Sequence, residues 1–371
     1  MSITTISQLQ KIVPLSPEEA EAITDVGARY PWGITESYAS LIDPDDPECP
    51  IRKQCVPDVR ELDDSFGIPD PLEEDLNSPV PGVIHVYPDR IAVIVTNQCP
   101  MYCRFCLRKR FLRDGSNDLR GKRLEGVLRY VRDHPAIRDV LLTGGEPLMF
   151  GDDDLDRILG GLRAIGHVEI VRIGTRAPCT WPERVTDSFA AMAARYHPVW
   201  LNTQFNHPRE VTPEAAAAVD RLLRAGIPVG NQSVLLRGVN DDRETMLELV
   251  RKLVRIRVRP YYLYQAQVLA GTRHFVVPVE QGIGIIRGLR GWTTGFAVPQ
   301  YVLDTPYGKV PMNPEYLAGR SGDHVEFVTY AGKSWREYNP IEILSRDHPT
   351  IAEGHRYDIE YRTPQTDFED R

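Results

Sequence analysis

Six short apolar runs alternate with six longer amphipathic segments between residues 91 and 289, and this alternation constrains the fold of the 371-residue chain more than any other feature. The predicted strands are Ile91–Asn97, Asp139–Thr143, Glu169–Thr175, Val199–Phe205, Pro228–Leu235 and Pro260–Ala266. The predicted helices are about Arg120–Arg132, Asp153–Ile165, Pro182–Tyr196, Pro213–Ala225, Asp241–Arg257 and Val279–Leu289. Each helix follows its strand, as in a chain built from repeated strand–helix units.

Such units in series predict a parallel sheet with helices outside it. Right-handed crossovers favour a curved sheet, and a complete TIM barrel requires eight units. We therefore predict an α/β fold, an open (β/α)6 partial TIM barrel. A doubly wound open sheet is the alternative that the pattern alone leaves open.

The helix ends and the chain ends carry further signals. Asp153, Thr212 and Asn240 are predicted N-caps, and Gly226 suits a left-handed residue after a helix. Pro17–Tyr30 looks helical, but acidic and proline-rich stretches surround it. We predict an N-terminal helical and irregular appendage over residues 1–75, a core over 76–310 and a C-terminal extension over 311–371.

Charge and hydropathy narrow the class of protein. The chain has 44 Lys and Arg against 52 Asp and Glu, a net charge of −8, which argues against a nucleic-acid partner. No apolar run approaches the roughly 20 residues of a membrane helix, so no membrane association is expected. The first residues lack the basic and apolar regions of a secretory signal, and a cytoplasmic location is expected.

Three of the six cysteines lie within eight residues, directly after the first predicted strand: Cys99, Cys103 and Cys106. Thiolates are soft ligands that suit iron–sulfur clusters and zinc. Three of them on one loop can hold three corners of a [4Fe–4S] cube and leave the fourth iron open to a substrate or cofactor. Zinc is the alternative, with a fourth ligand from Cys49, Cys55, Cys179 or a distant histidine.

The second predicted strand ends in Thr143-Gly144-Gly145-Glu146. Glycines let a ligand approach the backbone closely, and a carboxylate can accept a hydrogen bond from an ammonium group. A tight turn between strand and helix is the structural alternative.

At this point the chain resembles the radical S-adenosylmethionine (SAM) superfamily, and within it lysine 2,3-aminomutase and its relatives. The cysteines lie in TNQCPMYCRFCLRKR, and the resemblance extends over about residues 40 to 315. Further matching segments are DPECPIRKQ, YPDR, RDVLLTGGEPL, EIVRIGTR, NTQFNHP, GNQSVLLRGVND, RPYYLYQA and LRGWTTGFAVPQYVLD. The resemblance implies a radical SAM core and an isomerase that moves an amino group.

The resemblance also implies the cofactors. SAM would bind the open iron and be cleaved reductively to a 5′-deoxyadenosyl radical, with electrons from a reductant such as flavodoxin or ferredoxin. Gly144, Gly145 and Glu146 match the motif that meets the SAM amino group. Gln232 and Ser233 match residues that line the SAM pocket.

Pyridoxal phosphate (PLP) is the third implied cofactor, and it requires a lysine for covalent attachment. In the family this lysine follows an Asp-Ala-Pro-Gly-rich stretch, which here begins at Asp304 and places the catalytic lysine at Lys309, one of only seven lysines. The loop is two residues shorter than the family's. Tyr87 and Arg90 match positions near PLP, with Arg90 on its phosphate.

The implied reaction moves the α-amino group of an L-amino acid to C3 and gives a β-amino acid. Arg108 matches the arginine that binds the substrate carboxylate. Lysine 2,3-aminomutase holds the distal ammonium of its substrate with two aspartates; one matches Asp304, and the other aligns with Gln267. We therefore predict a basic small-molecule substrate, L-arginine ahead of L-lysine, since a guanidinium can bond both groups.

The sequence leaves other hypotheses about the function open. The chain could be an isomerase for a lysine of elongation factor P, a radical SAM enzyme of another reaction type without PLP, or a structural or electron-carrying metal protein. No cysteine follows Cys179, so no structural zinc is expected. A homodimer or tetramer is possible.

Overall fold

The computed structural model describes residues 2–63, 67–113, 118–321, 324–329 and 332–338. By its contacts the chain forms two units, Met1–Pro314 and Glu315–Arg371. The three-part division expected from the sequence stays a prediction, and residues 339–371 of its C-terminal extension lie outside the described part.

The first unit is built on a nine-stranded sheet whose strands lie in chain order. They are β1 (Val83–Tyr87), β2 (Arg90–Thr96), β3 (Asp139–Gly144), β4 (Ile170–Gly174), β5 (Val199–Thr203), β6 (Val229–Leu235), β7 (Arg259–Gln265), β8 (Gln300–Thr305) and β9 (Gly308–Pro311). Neighbours from β2 to β8 pair in parallel, while β1 and β9 pair antiparallel at the edges.

The predicted α/β barrel class is confirmed, and the six predicted strands correspond to β2–β7 within two residues at each end. The prediction missed β1, β8 and β9. β1 precedes the predicted series, whereas β8 follows the last predicted helix and was missed all the same. β8 and β9 form a hairpin that contains the stretch expected to carry a cofactor.

Six helices of eight or more residues connect the strands: α1 (Gly121–Asp133), α2 (Asp152–Arg163), α3 (Asp187–Ala194), α4 (Pro213–Arg224), α5 (Arg243–Arg255) and α6 (Val279–Leu289). A single helical turn, Ala177–Thr180, follows β4. The predicted helix Pro182–Tyr196 is instead a 3₁₀ turn, Pro182–Arg184, followed by α3. The break occurs because the Thr186 side chain accepts a hydrogen bond from the Phe189 N–H and starts a new helix.

Two of the four predicted helix-end residues are confirmed. Thr212 caps α4, and Gly226 after that helix has φ +76°. The other two are wrong: Gly151 precedes α2 without a side-chain cap, and Asp242 rather than Asn240 caps α5. The Asn240 side chain is buried and bonds the Asn206 and Val234 carbonyls instead.

Apolar side chains between the sheet and the helices form one continuous core. Val140 and Leu142 of β3 are fully buried, as is Leu155 of α2 opposite them. Truncating a leucine in such a place to alanine costs about 2–5 kcal/mol. This core leaves the other face of the sheet free to form a cavity.

The sheet curls until its two edges meet. The Tyr87 hydroxyl of β1 accepts a hydrogen bond of 2.8 Å from the backbone N–H of Lys309 in β9. Gly308 has φ +119°, and a Cβ there would lie 3.1 Å from the Tyr87 ring. The edges touch through a side chain rather than a ladder of backbone bonds, as in an open, partial barrel.

Short elements precede the sheet: a strand pair Ser2–Ile3 and Ile34–Thr35, helices Ile6–Leu9, Pro17–Arg29, Glu36–Ala39 and Pro50–Cys55, and the 3₁₀ turn Val59–Leu62. Ser16 and Glu19 form a capping box at the start of the longest helix. The second unit contains an antiparallel sheet of Leu317–Ser321, His324–Val328 and Ser334–Tyr338. None of the described helices is long and apolar enough to cross a membrane.

Candidate active site

A cavity of about 1140 Å³ lies inside the curled sheet. Its lining includes nearly every residue that the sequence singled out: Tyr87, Arg90, Cys99, Cys103, Cys106, Arg108, Gly144, Gly145, Glu146, Gln232, Gln267, Asp304 and Lys309. Many of these residues follow the carboxyl ends of β2, β3, β7 and β8, the end at which barrel enzymes hold their chemistry.

The three cysteines lie on the loop after β2, and all line the cavity. Burial, together with the neighbouring thiols, raises the pKa of Cys106 to about 11 and the pKa of Cys99 well above its usual value. Thiolates in this position therefore need a compensating positive charge, which iron would supply. Within the described residues no three His, Cys, Asp or Glu side chains converge on one point as a single ion requires. The three thiols line the same cavity, and soft sulfur donors suit the irons of a [4Fe–4S] cluster.

Buried ion pairs fix this loop to the N-terminal segment. Glu61 accepts from Arg104 at 2.5 Å and from Lys109 at 2.6 Å, and all three side chains are at most 3% exposed. Burial alone would raise the pKa of Glu61, but the two cations outweigh it and lower that pKa. Because one carboxylate joins both cations, the loop between them has little freedom to move.

The glycine pair allows the end of β3 to approach the cysteine loop. Gly144 has φ +126°, and a Cβ there would lie 2.6 Å from the Thr96 oxygen. A Cβ on Gly145 would lie 2.3 Å from the Gln98 oxygen. Both glycines are thus required by the packing of the backbone itself, in addition to the cofactor role expected of them.

Glu146 already has a structural role. Its buried carboxylate accepts from the Leu148 N–H, the Thr175 hydroxyl and the Arg176 N–H. Burial raises the pKa of Glu146, and these three donors limit the rise. The expected bond to a SAM ammonium would be a further interaction of a group that first shapes the turn.

Neighbouring residues of β6 point to opposite faces. Gln232 lines the cavity, whereas Ser233 is buried on the helix side. The Ser233 hydroxyl donates to the Phe205 carbonyl and accepts from the Asn231 amide. Ser233 is not among the residues that line the cavity, and its expected place in the SAM pocket stays a prediction.

Lys309 and Asp304 face each other across the β8–β9 hairpin, where they are paired residues of the ladder. The Lys309 ammonium lies 2.8 Å from an Asp304 carboxylate oxygen, and both side chains line the cavity. Tyr264 of β7 lies beneath, with its ring centre 5.6 Å from the ammonium. Burial and the Asp304 carboxylate raise the pKa of Tyr264 well above its usual value, so it remains a neutral phenol.

Two arginines of the expected set have partners inside the protein. Arg90 lies flat on Tyr87, 3.6 Å from the ring centre, and pairs with Asp89 at 2.8 Å. Arg108 forms a bidentate pair with Glu74, whose carboxylate is 5% exposed. The Gln267 amide donates to the Asp304 backbone oxygen at 2.8 Å and leaves its own oxygen as an acceptor.

Several cavity residues were not predicted from the sequence: Glu74, Arg172, Arg176, Tyr262 and Tyr264. The two tyrosines alternate along β7, so the period of a strand could have indicated that they share a face. Arg176 closes the matching segment EIVRIGTR, but its partners are distant in sequence. Nothing local in the sequence distinguishes Glu74 from the acidic residues around it.

Comparison with known proteins gives the class first. The profile of the radical SAM superfamily matches residues 93–250, which contain the cysteine loop and the strands from β2 to β6. A crystal structure of a radical SAM methyltransferase from Sphaerobacter thermophilus aligns with a TM-score of 0.45 at 18% identity, covering 60% of this chain and 68% of that one. By the superfamily profile, the chain contains a radical SAM domain, which implies a [4Fe–4S] cluster and SAM as cofactors.

The relatives then define the family. L-lysine 2,3-aminomutase of Clostridium subterminale is 48% identical over 355 residues, 95% of this chain and 85% of that protein. Glutamate 2,3-aminomutase of Clostridioides difficile is 42% identical over 333 residues, 89% of this chain and 79% of that protein. A lysine 2,3-aminomutase profile also matches residues 286–347. The chain belongs to the lysine 2,3-aminomutase family of radical SAM isomerases, whose cofactors are a [4Fe–4S] cluster, SAM and PLP.

Proposed function

We propose that this protein is a 2,3-aminomutase for a basic L-amino acid, with L-arginine preferred over L-lysine. The observation that carries the proposal is the ion pair of Lys309 with Asp304 inside the cavity. If Lys309 held PLP covalently, it would no longer supply an ammonium, and the Asp304 carboxylate would be without that cation. A basic substrate side chain restores the balance, whereas an acidic one would place two negative charges together.

The neighbouring amide favours arginine. Gln267 is held by its bond to the Asp304 backbone, so its oxygen is an acceptor close to the carboxylate. A guanidinium has five N–H donors in a planar fork and can bond the carboxylate and the amide together. An ammonium is a compact charge that gains more from a second carboxylate than from an amide.

The remaining proposed roles follow from position. Arg108 binds the substrate carboxylate in the same bidentate geometry with which it pairs with Glu74 in this structure. Arg90, fixed against the Tyr87 ring, binds the PLP phosphate. Gly144, Gly145, Glu146 and Gln232 border the SAM position, and Cys99, Cys103 and Cys106 ligate the cluster.

When bound, the cofactors supply a radical that removes a substrate hydrogen and a carrier for the migrating amino group. The chain contributes orientation and a cavity enclosed by the sheet, which limits the access of water. An external one-electron reductant, such as a flavodoxin or ferredoxin, is the proposed protein partner.

The test is a substrate panel with anaerobically reconstituted enzyme, SAM, PLP and reductant. Chromatography of the products should show β-amino acids from arginine and lysine, with a higher kcat/KM for arginine. Turnover of glutamate or alanine without either basic amino acid would contradict the proposal. Gln267→Asp should raise the ratio of lysine to arginine kcat/KM, and the matched variant Gln267→Asn should not.

A further inference from the structure

Arg176 places a guanidinium directly against one cysteine of the loop. The residue follows β4 and is 8% exposed. Its Nη1 atom lies 3.0 Å from the Cys103 sulfur, within the range of an N–H···S hydrogen bond. Arg176 is therefore the residue that brings a full positive charge onto a sulfur expected to bind iron.

The guanidinium is held by partners on other elements. Nη2 donates to the Gln54 amide oxygen at 2.7 Å and to the Glu210 carboxylate at 2.8 Å, and Nε donates to the Gln204 carbonyl at 3.0 Å. The Tyr38 hydroxyl lies 3.2 Å from Nη2. With its other nitrogens occupied, Nη1 has one orientation available, and that orientation points at Cys103.

This arrangement exceeds what a buried ion pair requires. Glu210 already has other donors, since it accepts from Tyr38 and from the backbone of Asn206 and His207. One oxygen of Glu210 would neutralise Arg176 without any contact to the loop. The additional bond to sulfur extends the network from the N-terminal helices to the cysteine loop.

We propose that Arg176 is a positioning residue that donates a charge-assisted hydrogen bond to the Cys103 thiolate and thereby raises the reduction potential of the cluster. The inference rests on the proposed role of Cys103 as an iron ligand. One-electron reduction adds negative charge that the thiolate ligands share, and a fixed cation at one sulfur stabilises the reduced form more than the oxidised form. The electron itself comes from the external reductant.

The experiment is a redox titration of the reconstituted full-length enzyme, followed by the EPR signal of the reduced cluster. Arg176→Lys keeps the positive charge but loses the planar guanidinium with its several N–H donors. The double variant with Arg176→Gln and Glu210→Gln removes both charges and leaves no unpaired carboxylate. Arg184→Gln is the matched control, because Arg184 is also mostly buried but donates to the Leu148 and Phe150 carbonyls.

The midpoint potential should become more negative in Arg176→Lys and further in the double variant, with iron content equal to that of the wild type. At a limiting dose of reductant, the reduced fraction of the cluster should fall several-fold, while Arg184→Gln should match the wild type. Gln54→Met, which removes one holding acceptor, should give a smaller shift in the same direction.

An unchanged potential in any Arg176 variant that retains its full iron content overturns the proposal. If the Arg176 variants lose the cluster, the midpoint potential of Gln54→Met is the test, and an unchanged value overturns the proposal. If the wild-type protein assembles no cluster, the proposed function itself is refuted. Iron analysis of the wild-type protein distinguishes that outcome from a failure of the proposal for Arg176.

Discussion

Asp304 carries the proposed substrate preference because of its position in a short hairpin. The turn between β8 and β9 has two residues, Pro306 and Tyr307, and the ladder sets Asp304 opposite Lys309. The sequence identified both residues by resemblance and showed that the loop is shorter than the family's. Only the register of the β8–β9 hairpin shows that Asp304 and Lys309 are cross-strand partners.

Asp304→Asn should raise KM for arginine and lysine about 10- to 100-fold, because a charged hydrogen bond becomes a neutral one. The KM for SAM should not change. Steady-state kinetics on both amino acids measure this. Asp187→Asn, at an exposed carboxylate, is the control, and equal KM values in the two variants would show that Asp304 does not contact the substrate side chain.

Glu74 holds Arg108 in the way that a substrate carboxylate would. In its proposed role, Arg108 would exchange the Glu74 carboxylate for that of the substrate. Glu74→Gln should lower KM for the amino acid about 3- to 10-fold, since the competing charge is gone. Glu73→Gln, at the exposed neighbouring residue, should leave KM unchanged. A rise of KM in Glu74→Gln would mean that Glu74 orients Arg108 rather than competing for it.

At the scale of elements, the alternation of strands and helices was predictable because each unit buries its own apolar face. The predicted helix ends were wrong where the hydrogen bonds of one side chain outweighed the apolar periodicity. Thr186 starts a new helix within a continuous apolar pattern, and Asn240 enters the core instead of capping. Contacts such as that of Arg176 with Gln54 join residues 122 positions apart, and no local pattern encodes them.

The 3₁₀ turn Arg273–Phe275 packs near the turn Val59–Leu62 and makes stability depend on pH. Burial lowers the pKa of His274 to about 4, which Asp58 only partly offsets, and its Nδ1 atom is buried without a hydrogen-bond partner. Between pH 6.5 and 4 the unfolded chain binds a proton that the folded chain does not. Stability therefore falls as the pH falls through this window.

Chemical unfolding should show a loss of about 2–3 kcal/mol from this group between pH 7 and 4.5. His274→Gln should remove that part of the pH dependence, while His134→Gln, at an exposed histidine, should retain it. Identical pH profiles for wild type and His274→Gln would contradict the assignment.

At the scale of the whole molecule, the closure of the sheet depends on one side chain. Tyr87→Phe removes the acceptor for the Lys309 N–H and should cost about 1 kcal/mol of unfolding free energy. PLP affinity should fall several-fold, because Lys309 loses its fixed backbone. Absorbance titration with PLP measures this. Tyr307→Phe, at a 92% exposed tyrosine of the same hairpin, is the control; an equal loss in both variants would show that the edge contact has no such role.

The contact between Tyr87 and Lys309 joins residues 222 positions apart. During synthesis, the cysteine loop and the glycine turn leave the ribosome long before Lys309, the lysine proposed to hold PLP. Chain growth therefore imposes an order of assembly in which the reactive centre is the last part of the barrel to be completed. A chain terminated before Lys309 would contain the proposed iron ligands and lack the residue proposed to hold PLP.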